Sequence, residues 1–182
     1  FPDDPRARLL EVARLRESGD TRAARERLAD LRDSGGIPPA LRRAAANEFA
    51  RQGDLRGAAE VLGQGEQDDA TLGQRASWLA ASGDRAALQG LYAELRSGGP
   101  VPPPSRRLLL GHVAEALDLF EEAVRWYQGV PHGAGSDLAL LRLARLHDRR
   151  GEPARAIERL KDLQSDTSAD GERTLSFHLS AR

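Results

Sequence analysis

The stretch Ser105 to Val130, SRRLLLGHVAEALDLFEEAVRWYQGV, decides how the chain is read. It divides into two helices joined by a tight turn at Asp118-Leu119. In the second half Phe120, Ala123, Val124 and Tyr127 recur at the i, i+3, i+4, i+7 spacing of a buried helix face. Trp126 and Val130 widen that face, so the helix is expected to touch neighbours on more than one side. In the first half Gly111 lies seven residues before Asp118. A residue without a side chain there lets a second helix approach closely.

The same order of small residue, turn, small residue and bulky residue recurs along the chain. Turn signals fall at Gly19-Asp20, Gly53-Asp54, Gly83-Asp84, Asp118-Leu119 and Gly151-Glu152, at spacings of 34, 30, 35 and 33 residues. Five residues past each stand Ala24, Ala58, Leu88, Ala123 and Ala156. Nine past each stand Leu28, Leu62, Tyr92, Tyr127 and Leu160. Seven before them lie Val12, Ala46, Ala76, Gly111 and Ala144. Small residues on both helices mark where the backbones cross, and the Leu or Tyr one turn later reaches towards the next unit. Glycine at the turn takes the left-handed conformation that ends a helix, and the Asp after it can cap the next helix.

Composition agrees with a helical chain of 182 residues. Ala, Leu and Arg dominate, all good helix formers, whereas Val, Ile, Thr and aromatics are scarce. The net charge of −1 gives no general attraction to nucleic acid or an anionic membrane. Lys161 is the only lysine among 27 basic residues, the mark of a GC-rich genome rather than of phosphate binding, because Asp and Glu are interspersed throughout. Cysteine is absent, which excludes disulfides and thiolate metal sites. No apolar run is long enough to span a bilayer. Methionine is absent as well, so the chain is expected to be a processed protein or a fragment of a longer repeat protein.

The pattern predicts helices over 5–18, 21–33, 39–52, 55–65, 69–82, 85–97, 103–117, 119–129, 137–150, 153–165 and 170–182. Two connecting segments, LRDSGGIPPALRR from Leu31 and LRSGGPVPPPSRR from Leu95, place glycine after one helix and proline at the start of the next, the expected asymmetry of helix ends. In the last predicted helix Leu175 and Leu179 share one face with no helix to follow, so an exposed apolar strip through which a homodimer could form is expected there.

With these residues the chain resembles the tetratricopeptide repeat family, whose 34-residue repeat is a pair of antiparallel helices. The resemblance covers five repeats between residues 5 and 166 and is strongest in the fourth, at Gly111, Ala123 and Tyr127. The family's Trp near the start of the first helix is missing throughout, Trp78 sits elsewhere, and Leu88 replaces a small residue. The resemblance implies an all-α fold: a right-handed α–α solenoid of five helix pairs and a partial sixth, forming one domain over residues 1–182. It also implies that first helices line a concave groove, with Arg43, Asn47, Arg51, Gln74, Ser77, His112, Arg145 and Arg149 facing inward. Some family members hold a partner's C-terminal carboxylates at such positions, and Arg43, Asn47 and Gln74 resemble the first part of that clamp.

The remaining motifs read as structure. His112 and His147 form no metal-ligand pair and are expected to line a polar groove. The glycines of Gly133 to Asp137 lack the strand that a phosphate loop requires, so this segment reads as a loop ending in a Ser136 or Asp137 cap. Pro100 to Pro104 contains a PxxP, which reads as a rigid turn between repeats. Glu121-Glu122 and Asp68-Asp69 are adjacent and point apart on a helix, so neither is an acid–base pair. The expected function is non-catalytic binding of a peptide or partner protein, without cofactor, metal or nucleic acid. The stretch from Leu119 to Gln164 resembles bacterial repeat proteins of envelope assembly and proteolysis, which implies a periplasmic or outer-membrane-attached setting. A self-associating structural role and a repeat appendage of an enzyme are the alternatives.

Overall fold

The computed structural model describes residues 4–33, 37–65, 67–99, 101–133 and 135–166, and all its regular structure is helical. The elements are α1 (Pro5–Glu17), α2 (Thr21–Asp33), a 3-10 turn (Pro39–Leu41) leading into α3 (Arg42–Arg51), α4 (Leu55–Leu62), α5 (Asp69–Ser82), α6 (Arg85–Arg96), α7 (Pro104–Ala116), α8 (Phe120–Gln128), α9 (Ser136–Arg149) and α10 (Pro153–Asp166). The helix predicted over 170–182, with Leu175 and Leu179, lies outside the described residues.

The five predicted turns share one backbone device. Gly19, Gly53, Gly83 and Gly151 have φ of 85°, 84°, 71° and 72°, and Asp118 takes the same left-handed region at 60°. Past four of these residues a 6→1 bond closes the helix end: Asp20 N to Leu15 O at 2.9 Å, Asp54 N to Phe49 O at 3.0 Å, Leu119 N to Ala114 O at 2.9 Å and Glu152 N to His147 O at 2.9 Å. The Asp after the glycine then starts the next helix. Asp20, Asp54 and Asp84 accept from the backbone N–H groups of Ala23, Gly57 and Ala87 at 3.1, 2.8 and 3.0 Å. In the fourth turn Leu119 offers no such acceptor, and the charge is supplied instead by Glu121 and Glu122 in the first turn of α8.

Two compact units result, Phe1–Leu91 and Tyr92–Arg182, with α6 running across the boundary. In the first, α1 packs on α2, α3 on α4 and α4 on α5. Its core joins Val12, Ala24, Leu28, Leu31, Ile37, Ala45, Ala46, Phe49, Ala58, Val61 and Leu62. In the second, α7 packs on α8, α8 on α9 and α9 on α10. The residues chosen from the repeat spacing are buried almost without exception: Val12, Ala46, Ala76, Gly111 and Ala144 on first helices, and Ala24, Ala58, Leu88, Ala123 and Ala156 on second helices.

Three local differences from the sequence expectation have simple causes. The third helix begins as a 3-10 turn because Pro38 and Pro39 fix the entry, with Leu41 N bonding Pro38 O at 2.8 Å before the α-helix takes over. The fourth stops at Leu62, where Gly63 caps it and Gly65 turns at φ 118°. The α9 start is not capped by Ser136 or Asp137. Gly135 occupies the cap position, and the Ser136 hydroxyl folds back to donate to the Gly133 carbonyl at 2.8 Å. The two similar connecting segments also diverge: Ile37 is buried whereas its counterpart Val101 is exposed.

Candidate functional site

In the first unit, one cleft between α3 and α5 gathers residues from distant parts of the sequence. Arg43 and Asn47 stand one turn apart on α3. Thr71, Gln74 and Trp78 follow at i, i+3 and i+7 on α5, with Ala70 beside them and Leu62 at the end of α4. The helix period alone puts each set on one face. Arg43, Asn47 and Gln74 are exposed at the cleft, Thr71 and Trp78 half-buried, and Leu62 buried beneath. The cleft thus offers a cation, two amides and a hydroxyl around an apolar floor.

The start of α5 orients the cation. Asp68 caps this helix by accepting from the Thr71 N–H at 2.7 Å. Arg43 Nη2 donates to the Thr71 hydroxyl oxygen at 3.1 Å. The hydrogen bonds from the Thr71 hydroxyl and N–H, followed by the Arg43 charge, hold the Asp68 carboxyl below its ordinary range. Arg43 is therefore tethered at one nitrogen, while Asp68 partly offsets its charge.

The other residues expected in a groove are placed differently. Arg51 Nη1 donates to the buried Glu48 carboxylate at 3.1 Å, and Arg16 Nε from α1 donates to its other oxygen at 2.9 Å. Ser77 returns its hydroxyl to the Gly73 carbonyl at 3.0 Å. Neither Arg51 nor Ser77 lines the cleft.

His112, Arg145 and Arg149 belong to the second unit. His112 is half-buried, and burial, then the nearby Arg142, lowers its pKa against the opposing pull of Glu115. Arg145 is exposed. Arg149 bonds Glu115, which also accepts from the Tyr127 hydroxyl at 2.9 Å and lies 3.8 Å from Arg142. His147 is buried, with Nδ1 2.8 Å from Glu152 Oε2 and its ring edge-on to Phe120 at 5.9 Å. Among the described residues no group of three or more acidic or histidine side chains could hold a metal, and no helix is long and apolar enough to cross a membrane.

Sequence reasoning missed two participants in the first cleft. Trp78 follows Gln74 by one helical turn, so the spacing that selected Gln74 also selects it. Thr71 stands one turn before Gln74, so the same spacing selects its position but not its bond to Arg43, which reaches it from another helix. It also missed a polar cluster in the second unit. There the Tyr92 hydroxyl donates to Glu122 and accepts from Trp126 Nε1 at 2.7 Å. Burial, then that carboxylate, pushes the Tyr92 phenol up to about 12. Arg96 stacks 5.6 Å from the Tyr92 ring and, with Glu122, Arg125 and Trp126, lines a cleft. Tyr92 and Trp126 are 34 residues apart, close to one repeat, and that spacing is the signal that was available. No protein-family model matches the chain, and no curated protein sequence matches it.

Proposed function

We propose that the chain is a non-catalytic repeat module of the tetratricopeptide kind, a right-handed α–α solenoid that binds a peptide segment of a partner protein. The observation that supports this reading is the meeting of Arg43, Asn47 and Gln74 around one cleft with Trp78 and Leu62. A guanidinium binds a carboxylate through charge-assisted hydrogen bonds, and neighbouring amides orient the anion. The Trp78 ring supplies an apolar wall for the side chain next to that carboxylate. The occupant in this reading is a peptide's C-terminal carboxylate with an apolar residue beside it, and a bacterial envelope or proteolytic complex is the setting that the sequence resemblance favours.

A library of peptides ending in a free carboxylate, with the C-terminally amidated set as control, tests the reading. Binding is expected on the order of micromolar and to weaken with salt. Arg43→Glu should weaken it about tenfold or more with an unchanged circular dichroism spectrum. Equal binding of free and amidated peptides, or by parent and variant, would move the binding surface elsewhere.

A further inference from the structure

The cleft beside Tyr92 belongs wholly to the second unit and sits on second helices, α6 and α8. It measures about 350 Å³ and is lined by Arg96, Glu122, Arg125 and Trp126. Its charge is uneven. Glu122 is half-buried and already engaged, since it accepts from the Tyr92 hydroxyl and lies 3.8 Å from Arg96. Arg96 and Arg125 are both exposed. Arg125 uses Nε on the Glu121 carbonyl at 3.4 Å, so both of its Nη groups keep donors to offer. The lining therefore carries one guanidinium in excess of its carboxylate.

The aromatic wall is fixed before anything binds. Trp126 Nε1 donates to the Tyr92 hydroxyl at 2.7 Å, and the Arg96 guanidinium lies 5.6 Å from the Tyr92 ring centre. Indole and guanidinium are thus held through one buried tyrosine, which lowers the ordering cost of binding. With Nε1 bonded to Tyr92, Trp126 offers a guest its apolar ring rather than a donor. Trp, Tyr and Arg are also the residue types that most often anchor protein interfaces. We propose that this cleft binds an internal acidic segment of a partner protein. A glutamate or aspartate side chain meets Arg125 and Arg96, and an apolar neighbour lies on the Trp126 ring. Charge complementarity selects this occupant. A basic segment would meet the excess guanidinium, and an apolar one would desolvate it without a partner. The site goes beyond the α3–α5 cleft, with which it shares no residue, and its ligand carboxylate is a side chain and not a chain terminus.

The chain has two tryptophans, so Trp78→Phe leaves Trp126 as the sole indole reporter. In that background a short acetylated and C-terminally amidated peptide with a Glu-Leu-Glu core is titrated by fluorescence. The blocked terminus removes the group that the α3–α5 cleft is proposed to take. Trp126 emission should shift and saturate below about 1 mM peptide, and a Gln-Leu-Gln peptide should bind about tenfold or more weakly. Arg125→Gln should weaken the acidic peptide about fivefold or more, and further with Arg96→Gln, at an unchanged circular dichroism spectrum. Equal binding of the two peptides, or by the parent and the double variant, would overturn the proposal. So would loss of binding in Arg43→Glu, which would put the peptide in the α3–α5 cleft. The free-carboxylate library and this blocked peptide probe different clefts, so failure of one reading is distinguishable from failure of the other.

Discussion

The ring of Tyr127 fills the space that a side chain at Gly111 would need: a Cβ built there stands 2.5 Å from Tyr127 Cε1 and 2.7 Å from Cδ1. This contact joins α7 to α8 and makes the small residue of one helix a requirement of the aromatic on the other. The Tyr127 hydroxyl then donates to Glu115, and burial raises its pKa.

Gly111→Ala should therefore destabilise by overpacking, on the order of 1–3 kcal/mol. Tyr127→Ala should cost about 3–5 kcal/mol, as for other buried aromatics. The double variant decides the mechanism, since removing the ring removes the collision. Urea denaturation should show the two costs combining to less than their sum. Additive costs would mean that Gly111 matters for its backbone and not for the space it leaves.

Glu48 gives a second stability test. Its side chain is only 3% exposed and is held by Arg16, at 32%, and Arg51, at 59%. The more sheltered partner should matter more. Arg16→Ala leaves a buried carboxylate with one exposed cation and should cost about 1–3 kcal/mol. Arg51→Ala should cost about 1 kcal/mol or less, as for other exposed ion pairs. Replacing Glu48 together with both arginines by apolar residues should recover most of the Arg16→Ala loss, because the desolvated charge is gone. Chemical denaturation midpoints of the series check the ranking, and equal losses for the two arginines would contradict it.

The pH dependence follows from His112. Burial, then Arg142, sets its folded-state pKa below the unfolded value of 6.5. Between those values the unfolded chain binds a proton that the folded chain does not, so acid favours unfolding. The contribution is fully present above about pH 6.5 and is lost as pH falls below it. Glu152 acts in a lower window. The hydrogen bond from His147, then Arg155, holds it below the ordinary 4.5, so its contribution is lost only in stronger acid. Stability should fall as the pH drops below about 6.5, and His112→Gln should flatten that slope while leaving the steeper loss below about pH 4.5. An unchanged slope in the variant would show that other groups carry the effect.

Much of this architecture was legible because it depends on local rules. Gly19, Gly53, Gly83 and Gly151 announced turns that need a left-handed residue, and Asp118 stood at the same interval although it is not glycine. Alanine at 24, 58, 123 and 156 marked close helix crossings because backbone approach tolerates little else. The cleft was legible in part, since Arg43, Asn47 and Gln74 follow from helix period and repeat register. What could not be read was long-range partnership. Nothing in the spacing says that Arg16 reaches Glu48 from α1, that Arg149 joins Tyr127 on Glu115, or that Arg43 reaches Thr71 on another helix. Those outcomes depend on side-chain length and on which neighbours the fold brings within reach. Ile37 and Val101 make the same point, since similar connecting segments leave one residue buried and the other exposed.

The last prediction separates the two kinds of group in the α3–α5 cleft. Arg43 is an exposed cation tethered by Thr71, whereas Trp78 is a half-buried ring on the same cleft. Exposed charge chiefly raises the encounter rate and is screened by salt, while aromatic anchors hold a bound partner and govern its release. For a carboxylate-ending peptide recovered from the library, Arg43→Gln should slow association several-fold at low salt and lose most of that effect by about 0.5 M salt, where screening acts within a few ångströms. Trp78→Ala should leave association nearly unchanged and speed dissociation by about tenfold or more at every salt concentration. Stopped-flow or surface-based kinetics across a salt series reads both. If the two variants show the same kinetic signature, the peptide does not contact Arg43 and Trp78 in these separate roles, and the cleft is a polar surface rather than a peptide site.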